Sequence, residues 1–223
     1  MHRRRHLGRR AVGSAAVLLV GICVAAHGHR LIAVDEQFPS REQALVVEDE
    51  SISQVAYVRL TGDLPEAWLR IHVAEPTDVF LSLGVPVMDR LAGYRPSIRV
   101  VGPEGEAEGV IFEGSADGEP RRFHEPFTNT DSWIHVETWV PLPDAGTYYI
   151  VASSEPDVAD KLWMSVGRRE VFGVADVLSL PEVIRDVRGF HEVPTSLGAE
   201  ARDWAALLAF VVVAGVVVYF ATK

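Results

Sequence analysis

The chain has 223 residues, 48% of them hydrophobic and 23% charged, a globular composition long enough for one domain with a real core plus short appendages. Its formal net charge is -10, and residues 27 to 203 hold all 31 acidic side chains against 15 basic ones. Such a surface repels nucleic acid and anionic lipid headgroups, which excludes a nucleic-acid partner.

At the amino terminus Arg3, Arg4, Arg5, Arg9 and Arg10 precede an apolar run from Ala11 to Ala26 that closes on Val24-Ala25-Ala26. A basic region, an apolar core and small residues before a break predict a secretory signal over residues 1–26, or alternatively an uncleaved first membrane helix. Both readings place residues 27 to 203 outside the cytoplasm. The one cysteine, Cys23, lies in the apolar run behind Ile22, where a lipidated cysteine would follow a small residue. A chain cut after Ala26 has no disulfide and must be held by its packed core.

Residues 27–43 read as a linker. Residues 44–172 read as an extracytoplasmic antiparallel β-sandwich, jelly-roll-like, of about nine strands, because short runs of β-branched and aromatic residues alternate with Pro, Gly and Asp. The strands are expected near 44–48, 53–60, 67–74, 78–85, 97–101, 108–113, 133–140, 146–153 and 161–167. In Trp68-Leu69-Arg70-Ile71-His72-Val73 the period of two puts Leu69, Ile71 and Val73 inward. The same reading puts Ile134 and Val136 inward and Trp133, His135, Glu137 and Trp139 outward. Residues 114–132 lack a strand pattern and read as a long loop folded back on the sandwich.

In residues 173–203 the spacing Ser179-Leu180-Pro181-Glu182 predicts a capping box, Gly189 a stop, and Leu180, Ile184 and Val187 one apolar face of a juxtamembrane helix. A polar linker from His191 to Asp203 follows. Residues 204–223 read as a carboxyl-terminal transmembrane anchor. The uncharged run Ala205 to Ala221 spans about 26 Å as a helix, near the short limit of a hydrocarbon core. Trp204, Tyr219 and Phe220 stand at its ends, where aromatic rings favour the interface. Ala205 and Ala209 have the spacing that lets a partner membrane helix approach closely.

The stretch Asp144-Ala145-Gly146-Thr147-Tyr148-Tyr149-Ile150-Val151 resembles the penultimate hairpin of bacterial pre-peptidase C-terminal domains, which are exported jelly-roll-like sandwiches. The resemblance covers residues 53 to 167 and implies a binding or stabilising accessory module; it carries no catalytic residue across. At the other end, Ala26-His27-Gly28-His29 resembles the start of periplasmic copper-binding proteins of the copper-resistance sandwich family.

Two kinds of site follow from the side chains. Cleavage before His27 would put a free amine, backbone amides and the His29 ring at the spacing of a square-planar copper site. His124 and Glu125 are further ligand candidates, and His72 and His135 could converge with them on zinc or copper. The alternative is a set of solvated histidines and no cofactor. The second kind is an aromatic row, Phe123, Phe127, Trp133 and Trp139 with His135, suited to gripping a sugar or a partner chain. No Gly-x-Ser-x-Gly, His-Glu-x-x-His, phosphate-binding loop or dinucleotide fingerprint occurs. The expected function is a non-enzymatic binding or accessory subunit at the outer face of the cytoplasmic membrane. A copper-binding protein and a hydrolase are the alternatives.

Overall fold

The computed structural model describes residues 29–194, apart from residues 104, 106, 107, 117 and 172 and the side chains of 174, 175 and 177. Eleven strands form two sheets. They are β1 (Arg30–Val34), β2 (Leu45–Val46), β3 (Gln54–Arg59), β4 (Glu66–Val73), β5 (Thr77–Pro86), β6 (Ser97–Gly102), β7 (Gly109–Ser115), β8 (Arg121–Glu125), β9 (Thr130–Leu142), β10 (Gly146–Ser153) and β11 (Lys161–Val166). The six-stranded sheet runs β1-β3-β11-β5-β9-β8 and the five-stranded sheet β2-β4-β10-β6-β7. Pairing is antiparallel except for β1 with β3 and β2 with β4.

The alternation read from the sequence fixes the core. Leu69, Ile71, Tyr148 and Ile150 from the five-stranded sheet meet Leu81, Leu83, Leu162 and Met164 from the other, all fully buried. Each such side chain contributes about 1.5–3 kcal/mol relative to staying exposed. The result is an all-β sandwich with one helix, α1 (Val174–Phe190). Among the described residues no helix is long and apolar enough to cross a membrane. The expected signal (1–26) and anchor (204–223) lie outside the described residues.

Five expectations are corrected. Residues 30–34, expected within a linker, form β1: buried Ala33 and partly buried Ile32 pack on the main core, and partly buried Leu31 and Val34 on the second, as suits a parallel strand with a helix over it. Residues 121–125, expected in a loop, form β8, an edge strand on β9. Its Arg121, Arg122 and His124 are exposed, and charged side chains of this kind protect an edge but erase the hydrophobic signal. On β9 the pairing with β5 passes from Leu83 opposite Val136 to Gly84 opposite Ile134, so His135 is a bulge residue without a partner. The bulge reverses the expected faces: Trp133 packs on the main core, while Ile134 turns outward against the helix.

The fourth correction concerns α1. The helix starts earlier than the Ser179 capping box proposed, because the Asp176 carboxylate accepts the Gly173 N–H at 2.7 Å and caps the helix there. Ser179 instead donates to the Asp176 carbonyl within the helix, and Pro181 lies in the helix interior. The face that docks is Val183, Val187 and Phe190. It closes a second core with Val55, Tyr57, Ile134 and Trp163 on the outside of the six-stranded sheet.

The helix end is bound polar group by polar group. His191, also expected in a linker, is buried and caps the helix. The Val187 carbonyl can only accept, so His191 Nδ1 at 2.9 Å carries the proton. Nε2 is then the acceptor for the Ser132 hydroxyl at 3.2 Å, and Ser132 in turn accepts from Trp163 Nε1 at 3.0 Å. Trp163 reaches Ser132 because its ring lies over Gly84, where a Cβ would collide with it. The ammonium of Lys161, only 2% exposed, donates to the Phe190 carbonyl at 2.7 Å and to Glu192 at 2.8 Å. A cation at a helix carboxyl end is also favoured by the aligned peptide dipoles. Glu192 is further gripped by two bonds from Arg90, and these contacts hold its carboxyl down at about 2.

Candidate functional site

Beyond the helix, the outside of the six-stranded sheet carries an aromatic surface. The β5–β9 register sets Phe80 opposite Trp139, and the two rings meet edge to face at 5.3 Å. Phe80 is buried, whereas Trp139 stands on it 54% exposed. At the end of β11, Gly167 adopts a positive φ of 75°, and a Cβ there would run into the Ile52 carbonyl. That turn brings Arg168 back over the Phe80 ring at 4.9 Å. The Arg168 guanidinium has no carboxylate partner among the described residues. An exposed indole beside an unpaired guanidinium offers a stacking face and a fixed positive charge together. Such Trp and Arg pairs concentrate binding energy at protein surfaces.

The expected aromatic row is otherwise dispersed. Phe123 is half-buried in the second core, with the Arg121 guanidinium 5.9 Å from its ring centre. Trp133 faces the main core. Phe127 is exposed at the β8–β9 turn. At the bulge, both ring nitrogens of His135 are buried without a hydrogen bond, and burial, reinforced by the Arg95 charge, lowers its pKa to about 4. Of the expected row, Trp139 and Phe127 present an exposed ring.

The histidines do not converge. His72 lies on the five-stranded sheet, whereas His124 and His135 belong to the six-stranded one. Exposed His124 places Nδ1 at 3.2 Å from Asp131, whose carboxyl is lowered first by its bond from Arg122. Glu125 accepts the Phe127 N–H at 3.1 Å. His29 is half-buried with Nδ1 at 2.6 Å from the Ser53 hydroxyl, and desolvation lowers its pKa. His27 lies outside the described residues. Among the described residues no group of three or more His, Cys, Asp or Glu side chains is placed to hold a metal ion.

The outer face of the five-stranded sheet holds a feature the sequence reading missed. The Arg41 guanidinium sits 4.6 Å from the Tyr149 ring centre and 6.0 Å from that of Trp68, and Arg99 lies 5.6 Å from Trp68. Carboxylates fix both cations: Glu108 accepts two bonds from Arg41, and Glu66 accepts from Arg99 at 2.7 Å and from Trp68 Nε1 at 3.0 Å. Arg41 thereby holds the Glu108 carboxyl below the usual carboxylate range. Alternation along β4 showed that Trp68 faces outward, but positions 41, 99 and 108 meet it only through the sheet register.

No protein-family model matches the chain, and no curated protein matches it by sequence. Solved structures do resemble it. One is the pre-peptidase C-terminal domain of a collagenase from Bacillus anthracis, at 13% identity and a TM-score of 0.34, covering 63% of this chain and 95% of that one. Another is CorA, described as a surface-associated copper-binding protein of Methylomicrobium album BG8, at 10% identity, a TM-score of 0.33 and 61% and 100% coverage. A third is a carbohydrate-binding module of Caldicellulosiruptor saccharolyticus solved with mannohexaose, at 7% identity, a TM-score of 0.37 and 53% and 76% coverage. Both kinds of protein that the sequence resembled are thus among the similar structures. At these scores the likenesses carry nothing over to the chemistry of this chain.

Proposed function

We propose that the chain is an exported, non-enzymatic binding or accessory subunit, held at the outer face of the cytoplasmic membrane by residues 204–223 and presenting its sandwich to a partner. The observation that carries this reading is the Trp139–Phe80–Arg168 surface. An indole left 54% exposed on a buried phenylalanine, whose ring also carries a guanidinium with no carboxylate partner among the described residues, offers an apolar and a cationic contact together. The membrane assignment rests on the apolar run Ala205 to Ala221 and the basic, then apolar, amino terminus.

The test is site-directed photocrosslinking of the full chain in native membranes. A crosslinker replacing Trp139 should give a discrete adduct that disappears with Arg168→Gln. The same group at exposed Val158, on the turn before β11, serves as the control. Indistinguishable adducts from the two positions would overturn the assignment of this surface.

A further inference from the structure

A second feature stands on the opposite face and is independent of the Trp139 surface. Along β4 the side chains of Arg70 and His72 point outward and are exposed. Across the sheet β10 sets Thr147 opposite His72. On the other flank β2 pairs Val46 with Arg70 and ends there. Where β2 stops, a shallow recess of about 250 Å³ opens, lined by Val46, Arg70, Ile71, His72 and Thr147. That is smaller than the roughly 300–1,000 Å³ of drug-sized sites, so it suits one ring or one ionic group.

The polar groups of this recess are donors without a carboxylate among them. Arg70 brings a guanidinium with five N–H donors and no acceptor. Among the described residues this guanidinium has no hydrogen bond, ion pair or ring contact. That is notable chemistry in a chain of 31 acidic against 21 basic side chains, where Arg41 and Arg99 on the same face each hold a glutamate. The His72 Nδ1 lies 3.3 Å from the Thr147 hydroxyl. When that hydroxyl donates to Nδ1, the Nε2–H remains as a donor. Val46, 49% exposed, gives the recess an apolar flank.

We propose that this recess binds a single oxyanion, with Arg70 as the principal ligand and His72 and Thr147 beside it, and that the anion is the carboxylate of a sugar acid whose ring lies against Val46. A forked guanidinium matches the two oxygens of a carboxylate, and the same geometry accepts a phosphate. The positive recess excludes a metal ion as its occupant. The net charge of -10 repels polyanions such as nucleic acid, so the ligand carries isolated charges on an otherwise neutral body.

Calorimetric titration of the full chain in non-ionic detergent micelles tests this, with glucuronate, glucose and inorganic phosphate as probes. Glucuronate should bind and glucose should not. Arg70→Gln should weaken glucuronate by about tenfold or more, the scale expected for losing a charge-assisted bond. Arg70→Lys, which keeps the charge but loses the fork, should fall between them, and Arg185→Gln on the exposed side of α1 should match the wild type. Because Arg70 is exposed, the melting temperature of each Arg70 variant should stay at the wild-type value, which separates lost binding from lost fold. Binding of phosphate without glucuronate would retain the oxyanion site and overturn the sugar assignment. Equal glucuronate binding by wild type and Arg70→Gln, or binding of neither anion, would overturn the site itself.

Discussion

The two outward faces of the sandwich are covered by different chemistry. On the six-stranded sheet α1 seals a second apolar core, and its end is locked by Lys161, Ser132 and His191, all buried. On the five-stranded sheet the covering layer is a set of guanidinium groups laid on Trp68 and Tyr149 and held by half-buried carboxylates. The first cover depends on excluded water and resists salt. The second is shared with solvent, so its parts can part and re-form at small cost. The helix is therefore a structural closure, and the arginine face is the labile one.

The largest break in this comparison should come from Phe190→Ala. The ring is buried against Tyr57, 5.2 Å away edge to face, and lies beneath the Lys161 ammonium. Truncating a buried phenylalanine costs about 3–5 kcal/mol, to be read from the denaturant midpoint. Trp68→Ala, at a half-buried ring of the arginine face, should cost clearly less. Equal losses would show that the arginine layer is as structural as the helix. Next comes Lys161→Met, which keeps the stem's packing but leaves the Phe190 carbonyl without its donor. A loss of about 2 kcal/mol is expected, with hydrogen exchange of residues 183–194 accelerating before that of β4 and β10.

The arginine face and the helix lock also mark where sequence reading works and where it stops. The main core was legible, because Leu69, Ile71 and Val73 alternate and turn residues bracket each strand. β8 was hidden because its one apolar residue, Phe123, gives no period. The bulge at His135 was hidden because no local signal marks an unpaired residue, and a one-residue slip reverses faces. The same slip removed Trp133 from the expected binding surface and left Trp139 on it. β1 was visible as four consecutive apolar residues, but its place soon after the apolar run Ala11 to Ala26 made it read as linker. Arg168 could not be singled out, since its value lies in the turn at Gly167 that carries it to Phe80.

A milder way to separate the faces is acid. His29, His135 and His191 are lowered from the ordinary value mainly by burial, His135 to about 4. A folded-state pKa below the unfolded one means the unfolded chain takes up protons first. Stability is therefore complete above about pH 6.5 and declines as pH falls toward 4. Glu192, held at about 2, adds a further loss between its ordinary range and 2. Protonating His191 places a second N–H against Ser132, whose oxygen already accepts from Trp163. Limited proteolysis at pH 5 should thus open the segment around residues 187–194 before β4 or β10. His191→Asn should flatten the dependence of melting temperature on pH between 7 and 5; an unchanged slope would remove His191 from this role.

The smallest effect should be Arg41→Gln. The guanidinium is partly exposed, its bonds to Glu108 are shared with water, and its contact with Tyr149 is a surface cation–π interaction. An ion pair open to solvent contributes little and a surface contact between a guanidinium and a ring about 0.5–1 kcal/mol, so the denaturant midpoint should move by roughly that amount or less. What should change is access. Tyr149 is only 3% exposed, and without the guanidinium over its ring the outer face around it becomes reachable, giving faster exchange along β10 with little loss of stability. Salt sharpens the contrast. Near 1 M ionic strength the screening length falls to about 3 Å, so the wild-type exchange along β10 should approach that of Arg41→Gln, while the Phe190→Ala deficit stays at full size. If the Phe190→Ala deficit shrank with salt as well, the cover over the six-stranded sheet would be electrostatic too, and the distinction between a sealed face and a labile one would fail.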